Sequence, residues 1–173
     1  MLDVYQTRAL KKQFNVFSIG VRDAAHALEF LEPAAVLFQT TTATLHPAWS
    51  GRLASPDVPN AHLVRLTESA RKLDVPSIAL CTVNPDQLGV YLPSLRTAKI
   101  VLVARTDTCA ALRKQRLPGV EILSPSDIVD IVSRGRTLDA GHDSLIERLG
   151  YTYFSTAIAR RATAMSSSAA GDA

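Results

Sequence analysis

Cys109 is the side chain of this sequence best placed for nucleophilic chemistry. It follows the apolar run KIVLVA (99–104), which predicts a buried strand, and residues 105–108, which predict the start of a helix. The amide dipoles at a helix N-terminus and the nearby Arg105 both lower the pKa of a thiol and favour the nucleophilic thiolate. Cys109 is therefore a candidate catalytic residue, although the local sequence alone favours an inert cysteine packed behind the helix.

Other residue types that hold metals or phosphates lack the spacing for it. The four histidines do not fall at ligand spacings. They are His26, His46, His62 and His142. Cys81 and Cys109 alone make neither a zinc site nor a disulfide framework. The glycines are isolated, whereas a phosphate-cradling loop needs several close together. We therefore predict no cofactor and no metal site.

The composition is that of an ordinary globular chain. Hydrophobic residues make up 47% and charged residues 20% of the 173 residues, enough for one domain with a substantial core. The net charge of +3 is mild. Basic residues occur in scattered pairs, at Lys11-Lys12, Arg71-Lys72, Arg113-Lys114 and Arg160-Arg161. No aromatic residues are interleaved with them, so they predict solvated helix faces, with a nucleic-acid surface as the alternative.

Targeting signals are weak in this sequence. No apolar run approaches the roughly 18 residues of a membrane-spanning helix, and no secretory signal opens the chain. We therefore predict an intracellular protein without a membrane span, cytoplasmic by default. The basic residues Arg8, Lys11 and Lys12 make the N-terminus faintly similar to a mitochondrial presequence, which leaves the mitochondrial matrix as the alternative.

The first half of the chain predicts alternating helices and strands. Helices are predicted over 4–13, 22–31 and 60–73, and strands over 14–20, 34–39 and 76–82. Asn60 is the expected cap of the third helix, whose buried face consists of Leu63, Leu66, Ala70 and Leu73. Residues 40–59 predict a long irregular segment that contains Trp49 and is a candidate contact surface. The alternative is that Trp49 packs over the sheet edge.

The second half of the chain continues the alternation. Residues 86–98 predict a helical or irregular link. Strands are predicted over 99–104, 120–123 and 151–154, and helices from Asp107 or Thr108 to 115, over 126–133, and from Asp143 to 149. Strands that alternate with helices of about ten residues predict an α/β fold. We expect a single domain with a mostly parallel sheet, three-layer αβα and Rossmann-type.

The order of these segments resembles the isochorismatase-like family of cysteine hydrolases over roughly residues 34–160. The matching pieces are AAVLFQT (34–40), the helix 60–73, Val75-Pro76 with Thr82, Pro85 and Leu88-Gly89, KIVLVA (99–104), Cys109, AALRKQ (110–115), VEIL (120–123), Ser133-Arg134, Gly141-His142-Asp143, SLIERL (144–149) and YTYFSTA (151–157). The resemblance implies the family's three-layer fold, association into oligomers, and a nucleophilic role for Cys109.

Several residues depart from the pattern of this family. Its first strand ends in Asp-X-Gln, whose aspartate is the base for the thiol; if Gln39 is that glutamine, Leu37 stands at the aspartate position and cannot take a proton. The family's lysine lies on a segment that has no counterpart here, since Lys99 instead opens the next strand. The family's turn glycine before the cysteine is either replaced by Ala104 or lost, and Ala110 replaces the valine after the cysteine.

Residues 5–39 also resemble the first half of a response-regulator receiver. A receiver holds magnesium and accepts phosphate through a cluster of carboxylates at its strand ends. The candidate strand end here offers Gln39 and Thr40. A receiver built from these residues would therefore be silent.

Loss of one member of a nucleophile–base unit removes most of the rate of such an enzyme. We therefore predict a degenerate isochorismatase-like protein that acts as a structural or interaction subunit, with protein partners or as a homo-oligomer. The alternatives are an active cysteine hydrolase of a small amide or ester, with Asp107 or His142 assisting Cys109, and a silent receiver-like module. The predicted organisation is an N-terminal extension (1–33), the α/β domain (34–160) and a flexible tail (161–173).

Overall fold

The computed structural model describes residues 4–12, 14–20, 23–40, 61–134, 148–150 and 152–154. The helices are α1 (Val4–Lys11), α2 (Ala24–Leu31), α3 (Ala61–Lys72), α4 (Leu88–Thr97), α5 (Thr106–Lys114) and α6 (Pro125–Arg134), and a 3-10 helix covers Pro85–Gln87. The strands are β1 (Val36–Gln39), β2 (Ser77–Cys81), β3 (Ile100–Val103) and β4 (Glu121–Leu123). None of the described helices is long and apolar enough to cross a membrane.

The strands form one parallel sheet in the order β1-β2-β3-β4. Phe38 lies opposite Ala79, and Ala79 lies opposite Val101. Parallel neighbours cannot be joined by a tight turn, so a crossover helix is needed between them. Helices α4 and α5 make the crossovers from β2 to β3 and from β3 to β4, and α3 leads into β2. The predicted α/β class with a parallel sheet is confirmed.

Both faces of β2 and β3 are buried, which explains their uninterrupted apolar sequence. One face packs into a core shared with helices α2, α3, α4 and α5. Its strand residues are Val36, Phe38, Ala79, Cys81, Val101 and Val103, and its helix residues include Leu28, Leu63, Leu66, Leu95 and Leu112. On the opposite face Ile78, Leu80, Ile100 and Leu102 are each no more than 2% exposed.

The end of α3 shows how the chain turns back toward the sheet. Asp74 adopts a left-handed conformation with φ 56°, and its N–H donates to the carbonyl of Arg71 at 3.2 Å. The N–H of Val75 donates to the carbonyl of Ala70 at 2.8 Å. These two bonds are the pair expected of a Schellman C-terminus. Leu73 therefore lies past the helix and is 43% exposed, so the prediction that it belongs to the buried face is wrong.

Two predicted strands are absent. Residues 15–20 are irregular, and Phe17 is 65% exposed. The N–H of Phe14 instead bonds the carbonyl of Leu10, which extends the turn at the end of α1. Residues 152–154 are helical, and the Thr152 hydroxyl donates to the carbonyl of Arg148 at 2.8 Å. That bond to the fourth preceding residue is helical geometry.

Several other predictions fall outside the described residues. They concern the segment 41–59 with Trp49, the Asn60 cap, His46, the elements at His142 and Asp143, and the tail at 161–173. The side chains of Ser133 and Arg134 are also outside the description, although their backbone belongs to α6. The predicted domain boundaries stay predictions.

Two compact units are distinguished within the chain, Met1–Ile122 and Leu123–Ala173. In the second unit, Ser124 directly precedes α6: its N–H donates to the Asp127 carboxylate at 2.6 Å, and the Asp127 N–H lies 3.4 Å from the Ser124 hydroxyl oxygen. This reciprocal pair satisfies amides that the helix leaves open. Gly150 lies against Ile128, and a Cβ there would come within 2.6 Å of Ile128 Cδ1.

A buried hydroxyl contact joins α3 to α4 within the first unit. Thr67 is fully buried, and its Oγ1 lies 2.9 Å from the carbonyl oxygen of Val64 and 2.6 Å from Thr97 Oγ1. The Thr97 hydroxyl in turn lies 2.9 Å from the carbonyl oxygen of Ser94. The polar atoms at this helix–helix contact therefore satisfy one another.

We expect Thr67→Val to lower the free energy of unfolding by about 1 kcal/mol and the melting temperature by about 2–4 °C, because an isosteric change removes a buried hydroxyl partner. Thermal unfolding measures both values. Thr106→Val, at an exposed threonine, is the matched control and should change stability by less than about 0.5 kcal/mol. Equal effects of the two variants would contradict the assigned role of Thr67.

Candidate functional site at the carboxyl edge of the sheet

The carboxyl ends of the parallel strands lie along one edge of the sheet, where α/β proteins bind their ligands. The N–H of Thr40 bonds the carbonyl of Leu80 at 3.0 Å, and the N–H of Ala104 bonds that of Cys81 at 3.1 Å. The ligand crevice of doubly wound sheets forms where the strand order reverses. The four described strands follow one another without a reversal, so no such crevice opens between them.

Cys109 lies in the first turn and a half of α5, on the side that faces the sheet. Its N–H already donates to the carbonyl of Arg105 at 2.9 Å, because α5 begins at Thr106. Its side chain is 2% exposed and belongs to the same core as Cys81, Val103 and Leu112. The structure therefore places the candidate nucleophile among apolar side chains. The prediction that Cys109 is catalytic remains untested.

The first turn of α5 is fixed against the segment that follows β2. Thr108 is fully buried, and its hydroxyl donates to the carbonyl of Val83 at 2.8 Å. This bond fixes the inner face of α5 against the segment after β2 and keeps the neighbouring Cys109 in the core. The expected cap at Asp107 or Thr108 is wrong by two or three residues, because the cap position is Arg105.

Cys81 is the other buried thiol, at the end of β2. Burial raises its pKa from 9.0 to about 11; the N–H of Val83 opposes this rise, and the nearby Cys109 adds to it. Neither cysteine is in a disulfide. The thiol of Cys81 is therefore held in its protonated, unreactive form at neutral pH.

Arg105 and Asp107 form an ion pair on the surface at this edge. Arg105 Nη2 lies 2.7 Å from Asp107 Oδ2, Arg105 Nε lies 3.1 Å from Oδ1, and both side chains are about half exposed. The hydrogen bond from Arg105 and the N–H of Thr108 lower the pKa of Asp107. Arg105 was expected to favour a thiolate at Cys109; the structure gives it a carboxylate partner instead.

Leu37 and Lys99 do not supply the missing partners of a thiol. Leu37 is partly buried and lies opposite Ile78 on β1. Lys99 precedes β3, whereas Cys109 follows it, so the ammonium and the sulfur belong to opposite edges of the sheet. Of the candidate bases, His142 lies outside the described residues.

Gln39 is a buried polar residue that the analysis of the sequence did not select as a site. It ends β1, is 5% exposed, and donates from Nε2 to Thr82 Oγ1 at 3.5 Å. Its Oε1 is buried and has no hydrogen-bond partner among the described residues. The signals in the sequence were its place directly after the apolar run 34–38 and its match to the glutamine of the resembled family's Asp-X-Gln. Chemically, this oxygen is able to accept a hydrogen bond.

Metal ligands are not gathered anywhere in the described parts of the chain. No group of three or more His, Cys, Asp and Glu residues there could hold a metal ion. His26 is exposed on α2, and His62 is partly buried on α3. The described strands β1, β2 and β3 end in Gln39, Cys81 and Val103 rather than in carboxylates.

No protein-family model matches the chain, and comparison with the curated proteins and with the solved structures gives no match either. The isochorismatase-like resemblance therefore rests on the quoted residues alone, and it stays a prediction.

We expect the free energy of unfolding to fall by roughly 2 kcal/mol between pH 9 and pH 11 on account of Cys81. In that interval the unfolded thiol loses its proton, while the folded thiol, with a pKa of about 11, keeps it, so rising pH favours unfolding. Denaturant titrations at each pH measure the slope. In Cys81→Ala this part of the alkaline loss should vanish; an identical slope in both proteins would refute the assignment.

Replacing the unpartnered amide of Gln39 should be neutral or stabilising. We expect Gln39→Met to raise the free energy of unfolding by up to about 1 kcal/mol, because it removes a buried acceptor that lacks a donor. Gln39→Glu, the control of similar shape, should destabilise by several kcal/mol at pH 7, because it buries a charge. A loss of about 2 kcal/mol or more in Gln39→Met would show that the carbonyl has a partner in solution.

Proposed function

We propose that this chain is a catalytically degenerate α/β protein that acts as a structural or interaction subunit of a larger assembly, in the mitochondrial matrix or the cytoplasm. The proposal includes the finer fold, a three-layer αβα arrangement of isochorismatase-like ancestry. One observation carries the functional part of it. Cys109, the nucleophile candidate, is 2% exposed within an apolar core.

A cysteine hydrolase needs a thiolate, a proton acceptor and an open approach for the substrate. Burial of Cys109 argues against a thiolate and against an open approach for the substrate. The nearby acid, Asp107, is engaged by Arg105 on the surface, and its lowered pKa makes it a poor proton acceptor. Leu37 is apolar at the position where the resembled family has its base. These features together favour an inactive protein over the alternative of an active hydrolase.

A protein-interaction role is supported by aromatic residues on the surface. Phe30 is 87% exposed on α2, and Phe17 is 65% exposed in the segment that precedes it. Exposed aromatic side chains are frequent anchors of protein interfaces. Oligomers are also common in the family that the sequence resembles. The partner is therefore another protein or a second copy of this chain.

We expect both native thiols to react slowly with a disulfide-exchange reagent at every pH from 6 to 9, because each is buried. Unfolding the protein in guanidinium should make both react at once. The single-cysteine variants Cys81→Ala and Cys109→Ala assign each rate to its sulfur. A fast reaction at Cys109 with an apparent pKa well below about 8.5 would instead favour the active hydrolase.

The interaction role is tested with the same Cys109→Ala variant. Light scattering after size exclusion gives the mass of the purified protein, and capture from a native extract gives its complexes. We expect a defined oligomer or complex that Cys109→Ala retains, with a stability loss on the order of 1 kcal/mol from the lost sulfur. A protein that is monomeric and captures nothing would remove the proposed role.

A further inference from the structure

Basic residues that are scattered in the sequence converge on one edge of the sheet. In a parallel α/β unit each helix runs back against the strands, so every crossover helix ends where the next strand begins. Helices α3, α4 and α5 accordingly end at the amino edge, beside the first residues of β2, β3 and β4. The basic side chains there, called the basic edge below, are Arg71, Lys72, Arg96, Lys99, Lys114 and Arg116.

The side chains of the basic edge are all exposed, and none of them forms an ion pair within the described part of the chain. The ion pair that is present there, between Arg105 and Asp107, lies at the opposite, carboxyl edge. Arg113 also ends α5, but it donates to the carbonyl of Ile122 at 3.2 Å and is left out of the surface. The positive charge of the basic edge is therefore available to a partner.

The cations of the basic edge are spread along a row instead of being gathered at one position. Arg71 and Lys72 end α3, Arg96 ends α4, and Lys114 ends α5. Helices α3 and α4 pack against each other, and packed helices lie about 8–10 Å apart. The end of α5 lies beside the start of β4, one strand further along the sheet. Lys99 stands between the helix ends at the start of β3. Such a row matches a linear polyanion that carries one charge about every 3.4 Å along each strand.

Acidic residues limit the basic edge to the β2–β4 side of the sheet. Glu29 and Glu32 lie at the end of α2, beside the start of β1, and both are exposed. Among the described residues close to these helix ends, the acidic ones are Glu68, Asp74 and Glu121, fewer than the six cations. A partner with negative charge would therefore bind toward β3 and β4, away from α2.

We infer that the basic edge binds the phosphate backbone of a nucleic acid. A protein partner is less well matched, because the core of a protein interface is apolar and depleted in charged residues, whereas this row consists of charged side chains. The exposed aromatic residues Phe17 and Phe30 belong to the α1–α2 part of the chain rather than to this row, so they supply no base stacking there. Backbone contacts fix position without reading sequence, so binding is weakly sequence-specific and favours duplexes.

This inference goes beyond the proposed function and does not depend on Cys109. The test uses the full chain and fluorescence anisotropy with labelled duplex DNA, duplex RNA and a single strand of about 20 nucleotides, between 50 and 200 mM NaCl. We expect micromolar or tighter binding at 50 mM that weakens steeply with salt. The double variant Lys114→Gln/Arg116→Gln should reduce the slope of log K against log salt by about 2, and Lys99→Gln by about 1.

Arg65→Gln and Arg105→Gln are the matched controls, because each removes one exposed charge away from the basic edge. Both should leave the affinity and the salt slope unchanged, and thermal unfolding verifies that all variants are folded. Absence of binding at 50 mM, or equal losses in the controls, overturns the inference. Binding confined to vesicles of anionic lipid or to an acidic polypeptide overturns it as well. Cys109→Ala should retain nucleic-acid binding. A failure of the proposed function, which rests on Cys109, is therefore distinguishable from a failure of this inference.

Discussion

The parallel pairing of β1, β2 and β3 is the constraint on which the described fold depends. β2 is buried along its whole length and pairs in parallel with a strand on each side. Every return to the same edge then requires a crossover, and α4 and α5 supply it between β2, β3 and β4. As a result helix starts gather at the carboxyl edge and helix ends at the amino edge. The chemistry of each edge follows from which residues the chain has at those positions.

The strands of the sheet were predictable because burial on both faces leaves an apolar run in the sequence. The runs at 34–39, 76–82, 99–104 and 120–123 all contain the observed strands. The runs at 14–20 and 151–154 have similar composition, but residues 15–20 are irregular and 152–154 are helical. A short aromatic run fits a helix as well as a strand, and strand pairing depends on distant residues that local sequence does not reveal.

The site was predicted less well than the sheet, for a reason of helix register. The sequence placed Cys109 at the start of a helix capped by Asp107 or Thr108, where open N–H groups would face its sulfur. The helix in fact begins at Thr106, so the N–H of Cys109 is already bonded and its side chain faces the core. A difference of two or three residues in the position of the helix start thus decides whether Cys109 is an activated thiol or a core residue. No sequence signal fixes a helix start so closely.

Charge is distributed unequally between the two edges of the sheet. The fold tolerates this distribution because its electrostatic cost to stability is small. At the carboxyl edge Arg105 is matched by Asp107. At the amino edge Arg71, Lys72, Arg96 and Lys114 stand in the last turns of helices, where each is favoured by roughly 0.3–1 kcal/mol through the helix dipole. Repulsion between helix ends about 10 Å apart is largely screened, because the Debye length at physiological salt is about 8 Å. The fold therefore tolerates six exposed cations at this edge, with the three acidic residues Glu68, Asp74 and Glu121 described beside them.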